Sequence, residues 1–293
     1  MKPVVFYHKS CADGFGAAYA AWKYLDEDAD FVPVGYGDIK SLLDVDLLGP
    51  IMGRVVYILD FSFPREVMDY IDTHALHMVW IDHHKTAFEM WLPNEPFTDN
   101  SSFTDYDDKR TIILDNRNSG AMLTWMYFAG HTRGESPMLF KYIDDYDRWQ
   151  FKLEGTKPFS KGLWSTTPWT FEQWDKLDAE ALVETGETLL RDHTARVSKH
   201  VEHSRMCSIN GRMGLAINAP GYVSSDAGHE LAVASGTYGM TYHIDDKLVV
   251  KGSLRSNGDY DVSVLAKTLG GGGHKSASGF ECSIDQLLQL LAA

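Results

Sequence analysis

Three apolar segments of this sequence, residues 4–7, 55–59 and 79–81, each run directly into side chains that can bind metal ions. Imidazole and carboxylate groups together form ligand sets for divalent cations. The side chains concerned are His8 with Asp13 shortly after it, Asp60, and Asp82 with His83 and His84. Because three separate segments each deliver such a group, the pattern suggests one shared metal site.

Short apolar runs separated by segments with helical patterns are typical of strands in a parallel α/β sheet. The carboxyl ends of parallel strands meet at one edge of the sheet, where ligands bind. Adjacent histidines on a strand point to opposite faces, but His83 and His84 can reach one cavity where the strand turns into a loop. Asp13 could instead cap the helix that the Ala-rich segment 14–24 predicts.

The charge balance argues against a protein that grips long nucleic acid. The chain has 27 Lys and Arg residues against 41 Asp and Glu residues, a net charge of −14. Such proteins usually carry a basic face because phosphate contacts supply much of the affinity, and this sequence has no basic run. Small anionic substrates fit better, since a few local cations can hold one or two phosphates.

The length of 293 residues is enough for two domains with separate cores. No apolar run approaches the roughly 20 residues that span a bilayer, and the N-terminus does not resemble a secretion signal. The three cysteines, Cys11, Cys207 and Cys282, form no disulfide framework. We therefore expect a cytoplasmic location, and the oligomeric state stays open, a homodimer included.

We expect an α/β fold in two domains. Residues 1–175 form an N-terminal domain with a parallel sheet, and residues 205–293 form a smaller mixed α/β domain. A long helix over residues 176–204 connects the two domains. The helical pattern covers 171–204 with many charges and contains the boundary. Residues 93–110 are predicted to be a long polar loop, and residues 150–170 to be irregular.

Two further groups of residues in the first domain could contact ions. Asp144, Asp145 and Asp147 lie near a predicted helix end, where acids oppose the helix dipole and are more easily understood if cations neutralise them. Ser119 lies at a predicted helix start together with Gly120, where free backbone N–H groups could face an anion. Ordinary helix capping explains Ser119 equally well.

The second domain contains four consecutive glycines, residues 270–273, followed by His274. Such a run is costly to order, and it permits close approach of backbone N–H groups to a phosphate. Arg255 follows a predicted strand and is suited to hold an anion. The predicted substrate contacts in this domain are Arg255, Ser256, Gly271, Gly272, Gly273 and His274.

Taken together, these motifs resemble the DHH phosphoesterase family, specifically members that carry the DHH-associated C-terminal domain. The N-terminal motifs are residues 8–14, Asp60, the Asp-His-His sequence at 82–84 and the region 145–149. The C-terminal motifs are residues 254–256 and the glycine run to His274, with Gly279. The resemblance covers both halves of the chain, and it implies a parallel-sheet domain and a smaller mixed domain with the active site in the cleft between them.

The resemblance also implies roles for individual residues. Asp60 would bridge two metal ions, His84 would contact the scissile phosphate, and Asp82 would orient a ligand histidine. Arg255, the glycine run and His274 would hold the far end of the substrate. The implied metal ligands are His8, Asp13, Asp60, His83 and Asp145, with Asp144 and Asp147 as open alternatives to Asp145.

One departure concerns Cys11, which stands where many relatives have an aspartate two residues before the one matched by Asp13. A thiol is a softer ligand than a carboxylate, so the first metal site is either weaker or selects a different ion. The choice bears on the cofactor. Mixed histidine and carboxylate ligands suit two Mn²⁺ ions, with Mg²⁺ or Co²⁺ as alternatives.

The family resemblance implies a two-metal phosphodiesterase. Its members of this architecture act on short RNA fragments, linear dinucleotides such as pGpG, or cyclic dinucleotides. The acidity of the chain favours the shortest linear substrates, cleaved to 5′-mononucleotides. A cyclic-dinucleotide phosphodiesterase is the alternative, and a non-catalytic nucleotide sensor ranks behind both.

Overall fold

The computed structural model describes residues 1–25, 28–36, 38–258 and 260–292, without the side chains of residues 45–47. The chain divides into two compact units, Met1–Leu189 and Leu190–Ala293. Each unit contains one six-stranded sheet with helices, so the predicted two-part α/β fold is confirmed. Among the described residues, no helix has the length and apolar character needed to cross a membrane.

The first sheet has the strand order β2-β1-β3-β4-β6-β5. All neighbouring strands are parallel except β5, which pairs antiparallel with β6 at the edge. The strands are β1 (Val4–His8), β2 (Asp30–Val34), β3 (Val55–Leu59), β4 (His77–Asp82), β5 (Ser102–Tyr106) and β6 (Arg110–Asp115).

Helices pack against this sheet and against each other. They are α1 (Ala12–Leu25), α2 (Arg65–His74), α3 (Lys85–Trp91), α4 (Gly120–Ala129), α5 (Met138–Asp147), α6 (Thr156–Trp164), α7 (Phe171–Trp174) and the first part of α8 (Ala179–Val201). Short 3₁₀ segments cover Leu42–Leu48 and Arg133–Glu135.

The central strands are apolar because both faces of the sheet are covered, as is usual for parallel sheets. Phe6, Ile58 and Trp80 belong to the core on one face, and Val5 and Val79 to the core on the other. This double burial leaves the strand ends as the places where polar side chains meet solvent. The sequence therefore puts its histidines and acids at the carboxyl edge.

The second unit is built on a sheet of order β11-β12-β10-β9-β8-β7. Within it, β8 and β9 are parallel and the other neighbouring strands are antiparallel. Its elements are β7 (Arg205–Ile209), β8 (Arg212–Asn218), a 3₁₀ segment (Gly221–Val223), α9 (Ser224–Ser235), β9 (Tyr238–Ile244), β10 (Val250–Ser256), α10 (Val262–Thr268), β11 (Gly272–Gly273), β12 (Ala277–Cys282) and α11 (Ile284–Leu290).

Three local predictions differ from the structure. The predicted loop 93–110 contains strand β5, whose residues are mostly polar because it lies at the sheet edge. The irregular stretch 150–170 contains helix α6, which buries Phe159 and Leu163. The single helix predicted over 171–204 is two helices, α7 and α8. The compact units divide inside α8, and the domain limits 1–175, 176–204 and 205–293 stay a prediction.

Candidate metal centre

The polar side chains predicted to meet do so at the carboxyl edge of the first sheet. His8 ends β1, Asp60 follows β3, and Asp82 ends β4 with His83 and His84 directly after it. Because β1, β3 and β4 are adjacent parallel strands, their ends lie side by side. The strand register alone therefore assembles the core of the site.

Asp60 is the central group of the cluster. Its Oδ1 lies 3.1 Å from His83 Nε2, and its Oδ2 lies 3.6 Å from His8 Nδ1. The same nitrogen, His83 Nε2, also lies 3.4 Å from Asp13 Oδ2 and 3.5 Å from Asp147 Oδ2. The two oxygens of one carboxylate thus face two different groups of ligands, which is the arrangement needed to bridge two ions.

The backbone around Asp60 is unusual. Asp60 has φ +54°, a left-handed conformation that aspartate adopts more readily than most residues. Gly120, the first residue of α4, lies against it so closely that an added Cβ would be 2.5 Å from Asp60 Cβ and 2.7 Å from Oδ1. Only glycine therefore allows α4 to approach Asp60 this closely.

Asp13 connects α1 to the start of α4. Its Oδ2 accepts a hydrogen bond of 2.7 Å from Gly120 N, and its Oδ1 accepts one of 2.9 Å from Ala121 N. The partial positive charge of a helix N-terminus stabilises a carboxylate in this position. Asp13 is 2% exposed, so it is held in a fixed orientation with the remaining capacity of Oδ2 directed at His83.

The prediction that Ser119 contacts substrate is contradicted by the same helix start. The hydroxyl of Ser119 caps α4 by accepting from Met122 N, and Ser119 N donates to Asp144 Oδ1 at 2.7 Å. Ser119 is fully buried. The anions at this N-terminus are the carboxylates of Asp13 and Asp144, so an external phosphate finds no free N–H group on Ser119.

The structure does not bring Asp145 to the cluster, and Asp147 takes the place predicted for it. Asp145 accepts hydrogen bonds from Lys152 N, Leu153 N and Thr156 Oγ1, which bind the end of α5 to the start of α6. Asp147, two residues further round α5, points its carboxylate at His83. Helix geometry explains the difference, because two residues correspond to a rotation of about 200°.

Asp82 positions the side chain of His84, the histidine that follows the predicted ligand His83. Its Oδ1 accepts from His83 N at 2.7 Å and His84 N at 3.1 Å, and it pairs with His84 Nδ1 at 2.7 Å. Asp82 is fully buried, so it cannot contact substrate itself. Its hydrogen bond to Nδ1 fixes the ring of His84, which leaves Nε2 as the atom able to act on a ligand.

The electrostatics of the cluster are those of an acidic site. Burial raises the pKa of Asp13 well above its usual range, and the charges of Asp60 and Asp147 act in the same direction. Burial also tends to raise the pKa of Asp60, but the imidazoles of His8 and His83 outweigh it and hold that pKa below its usual range. The central carboxylate is therefore ionised.

The pKa of His83 shows that the neighbouring carboxylates need a positive charge close to them. Burial lowers this pKa, but the neighbouring carboxylates of Asp60, Asp147 and Asp13 outweigh burial and raise it well above the usual value. These carboxylates thus favour the protonated imidazole in the protein alone. A divalent cation would supply the same compensation and leave His83 neutral, the form that binds metal.

The buried polar atoms test whether a metal ion fits. Among the described residues, both oxygens of Asp60 and Nδ1 of His8 are buried without a hydrogen-bond partner, although the imidazoles stand at ion-pair distance. A buried polar group left unpaired costs about 1–3 kcal/mol. Inward-facing ligand atoms of these two types, imidazole nitrogen and carboxylate oxygen, fit divalent ions. The residues present therefore fit a metal centre.

Tyr36 is a site residue that sequence reasoning missed. It lies just after β2, and its ring centroid is 4.9 Å from that of Phe61 and 5.2 Å from that of His8. Tyr36 is nevertheless 56% exposed. An exposed ring supported from below beside the centre could stack on a nucleobase. The only available sequence signal was an aromatic residue shortly after a strand end.

In the second unit, Arg255 lines a cavity of about 180 Å³ together with Ser224, Ser225, His243 and Lys251. Arg255 Nη2 donates to Ser225 Oγ at 2.9 Å. The guanidinium is therefore held by the first turn of α9, and the cavity combines three basic side chains with three serines, Ser253 included. These groups suit an anion.

The glycine run, which was predicted to be a phosphate-binding loop, is instead hydrogen-bonded to neighbouring elements. Gly271 N donates to Ala266 O and closes the end of α10, so its N–H is not available to a ligand. Gly272 and Gly273 form β11 against β12, and His274 N donates to Ala277 O. The roles predicted for these residues and for the His274 side chain stay predictions.

Ser256 also differs from its predicted role. It lies on the buried side of β10 and is 5% exposed. Its hydroxyl accepts a hydrogen bond from Gly258 N. The structure thus uses Ser256 to turn the chain after β10 and does not present it to a ligand.

Comparison with known proteins identifies the second unit. Residues 210–293 match the model of the DHHA1 domain, which agrees with the C-terminal part of the predicted resemblance. Over 303 aligned residues, the chain is 28% identical to the uncharacterised protein R106 of Acanthamoeba polyphaga mimivirus, and the match covers 96% of this chain and 67% of that protein.

Two solved structures are similar at low identity. The pGpG-specific phosphodiesterase PggH of Vibrio cholerae matches 99% of this chain and 96% of its own, with 13% identity and a TM-score of 0.47. RecJ of Thermus thermophilus in complex with Mn²⁺ matches 98% of this chain but half of its own length, with 14% identity and a TM-score of 0.48. Because both TM-scores lie below 0.5, neither likeness says which substrate this chain takes.

Proposed function

We propose that this chain, a DHH-type protein with a C-terminal DHHA1 domain, is a metal-dependent phosphodiesterase that hydrolyses short linear oligoribonucleotides or dinucleotides such as pGpG to 5′-mononucleotides. The observation that carries the proposal is the position of Asp60. Its two oxygens are buried, lack hydrogen-bond partners among the described residues, and face separate ligand groups.

The first unit would hold two divalent ions. One ligand group contains Asp13, His83 and Asp147, whose ligand atoms lie within 4.8 Å of one another, and His8 belongs to the other, with Asp60 between them. Mn²⁺ suits these ligands best, with Mg²⁺ or Co²⁺ as alternatives. When bound, two ions lower the pKa of a water molecule and neutralise charge on the phosphate oxygens.

The protein side chains supply orientation and charge. Asp13 is fixed by the N-terminus of α4, and Asp60 by the close approach of Gly120, so both carboxylates are positioned before substrate arrives. Asp82 holds the ring of His84 through the hydrogen bond to Nδ1. Burial lowers the pKa of His84, but the charge of Asp82 outweighs it and raises that pKa. His84 can therefore donate a proton from Nε2 to a phosphate oxygen that gains charge during hydrolysis.

Substrate size is argued from the charge of the chain and from the second unit. A net charge of −14 disfavours long nucleic acid, whereas the cavity beside Arg255 can bind a single phosphate. Tyr36 offers one surface for base stacking beside the metal centre. Each of these two features by itself is suited to a small nucleotide. The cysteines are unpaired thiols, which agrees with the proposed cytoplasmic location.

The test is hydrolysis of a defined panel by the purified full-length chain with Mn²⁺. The panel contains pGpG, short RNAs of graded length from the dinucleotide upward, and cyclic dinucleotides, with products separated by chromatography. We expect release of 5′-mononucleotides, fastest from the shortest linear substrates. Asp60→Asn should lose turnover, whereas the control Asp69→Asn, on the exposed surface of α2, should retain it.

The other outcomes discriminate the alternatives. Preferred cleavage of cyclic dinucleotides would replace the proposal with a cyclic-dinucleotide phosphodiesterase. Binding of pGpG without turnover under any metal would indicate a nucleotide sensor. If the protein neither binds nor hydrolyses any member of the panel, the proposal is refuted.

A further inference from the structure

Cys11 lies inside the metal centre rather than beside it. One ligand atom each from His8, Cys11 and Asp60 lie within 4.8 Å of one another. Cys11 directly precedes α1, and the backbone turns before it through Ser10, which has φ +58°. Cys11 O accepts from Phe15 N, so the first turn of α1 fixes the backbone of Cys11.

The two partners of Cys11 point to a ligand independently of the thiol. Asp60 is 1% exposed, and neither of its oxygens has a hydrogen-bond partner among the described residues. His8 Nδ1 is likewise buried without such a partner. These unpaired atoms converge on the same position as Cys11, and a thiol offers only a weak hydrogen bond to either. A cation between the three groups would satisfy all of them.

We propose that Cys11 Sγ binds one of the two metal ions together with His8 and Asp60, and that this position selects a borderline-soft ion such as Zn²⁺ or Co²⁺ over Mg²⁺. The inference rests on the proposed function, since it assigns a ligand in the same centre. Sulfur, imidazole and carboxylate together are ligands of zinc sites, whereas Mg²⁺ prefers oxygen alone. On binding, the S–H bond breaks, the sulfur binds the metal, and the proton passes to solvent.

The two metal positions then differ in chemistry. Asp13, His83 and Asp147 offer one imidazole and two carboxylates, without sulfur, and such a set suits Mn²⁺. The position with Cys11 carries the soft ligand. We therefore expect the two positions to differ in metal preference when several metals compete, while both hold Mn²⁺ when it is the only metal supplied.

The experiment uses Co²⁺ as a spectroscopic probe on the metal-free full-length protein. Bound cobalt is counted by equilibrium dialysis, and absorption is recorded for the thiolate-to-cobalt charge-transfer band in the near ultraviolet. Variants are Cys11→Ser and Cys11→Asp, and Cys282→Ser in β12 is the control thiol. Competition between Zn²⁺ and Mg²⁺ is measured for each variant.

We expect the band in the wild type and in Cys282→Ser, and its loss in both Cys11 variants. The affinity for Zn²⁺ should fall at least about 10–100-fold in Cys11→Ser, the range found when even an indirect partner of a ligand is removed. Cys11→Asp should bind Mg²⁺ better than the wild type. Alkylation of the wild type gives a readout that needs no variant: Zn²⁺ should protect Cys11 from iodoacetamide.

Three results would overturn the inference. Cobalt bound to the wild type without a charge-transfer band would exclude sulfur as a ligand and leave the proposed function intact. Equal alkylation of Cys11 with and without bound Zn²⁺ would do the same. Failure of the wild type to bind any cobalt would instead remove the metal centre, and with it the proposed function.

Discussion

Replacement of Gly120 by alanine should separate activity from stability. The added Cβ would lie 2.5 Å from Asp60 Cβ and 2.7 Å from its Oδ1, whereas carbon atoms pack at about 3.5–4.0 Å. Asp60 or α4 must therefore move by roughly 1 Å. Overpacking of this kind costs about 1–3 kcal/mol of unfolding free energy, and the better helix propensity of alanine offsets up to about 1 kcal/mol of it.

The loss of activity should be much larger than partial unfolding of the Gly120→Ala protein could explain. A displacement of about 1 Å in a reacting site can reduce the rate about 100-fold, which corresponds to about 2.7 kcal/mol in the activation barrier. The same displacement acts on the carboxylate proposed to contact both ions. We therefore expect Gly120→Ala to remain folded at assay temperature and to lose about two orders of magnitude in kcat on pGpG.

The assay compares Gly120→Ala with Gly134→Ala by thermal unfolding and steady-state kinetics. An added Cβ on Gly134 would meet only Thr132 Oγ1, at 3.7 Å, an ordinary contact. Gly134→Ala should therefore match the wild type in both measurements. Wild-type kcat in a folded Gly120→Ala protein would refute the reasoning, because Asp60 would then not depend on the approach of α4.

The remaining predictions concern four positions. Asp147→Asn should abolish turnover with little effect on stability, whereas Asp145→Asn should cost about 1.5–3 kcal/mol of unfolding free energy through its lost hydrogen bonds while metal stoichiometry is unchanged. Burial tends to raise the pKa of Asp145, but hydrogen bonds from the Thr156 hydroxyl and nearby backbone outweigh it and lower that pKa. Its contribution to stability is thus present above the unfolded pKa and lost as pH falls through the folded pKa, so denaturant titrations should show the Asp145→Asn penalty shrinking below about pH 4. Tyr36→Leu should raise KM by roughly 10-fold, since base stacking contributes about 1–3 kcal/mol, and Tyr36→Phe should not; equal KM in both variants would exclude stacking. Asp82→Asn should reduce kcat about 10–100-fold at unchanged KM, because the ring of His84 would no longer be held in place. An unaltered kcat would contradict this role of Asp82.

The strand-end residues were predictable because few rules decide their positions. Apolar runs specify strands, and parallel strands place their carboxyl ends together, so the meeting of His8, Asp60 and His83 follows from sequence. The same reasoning worked for the two-part α/β fold. Neither prediction required knowledge of how helices pack.

Helix phase was not predictable in the same way. Three acids in four positions could each have faced the centre, and only the packing of α5 directs Asp147 there and Asp145 towards α6. The start of α4 posed a similar problem. Its N–H groups do bind anions, but these are Asp13 and Asp144 from distant parts of the chain, a long-range pairing that no local pattern contains.

Polar edge elements and supporting residues also gave little signal. Strand β5 consists mostly of polar residues at a sheet edge and therefore has no apolar run. The closeness of Gly120 to Asp60 depends on the placement of α4 against β3, which are far apart in sequence. Close approach can be predicted from a glycine only once the neighbouring element is known.

The most direct test of the central claim, that Asp60 bridges two ions, is anomalous X-ray diffraction from crystals soaked in Mn²⁺. We predict two anomalous peaks, one on each side of the Asp60 carboxylate, with Asp13, His83 and Asp147 around one of them and His8 at the other. A single peak, or peaks that do not contact Asp60, would contradict the account.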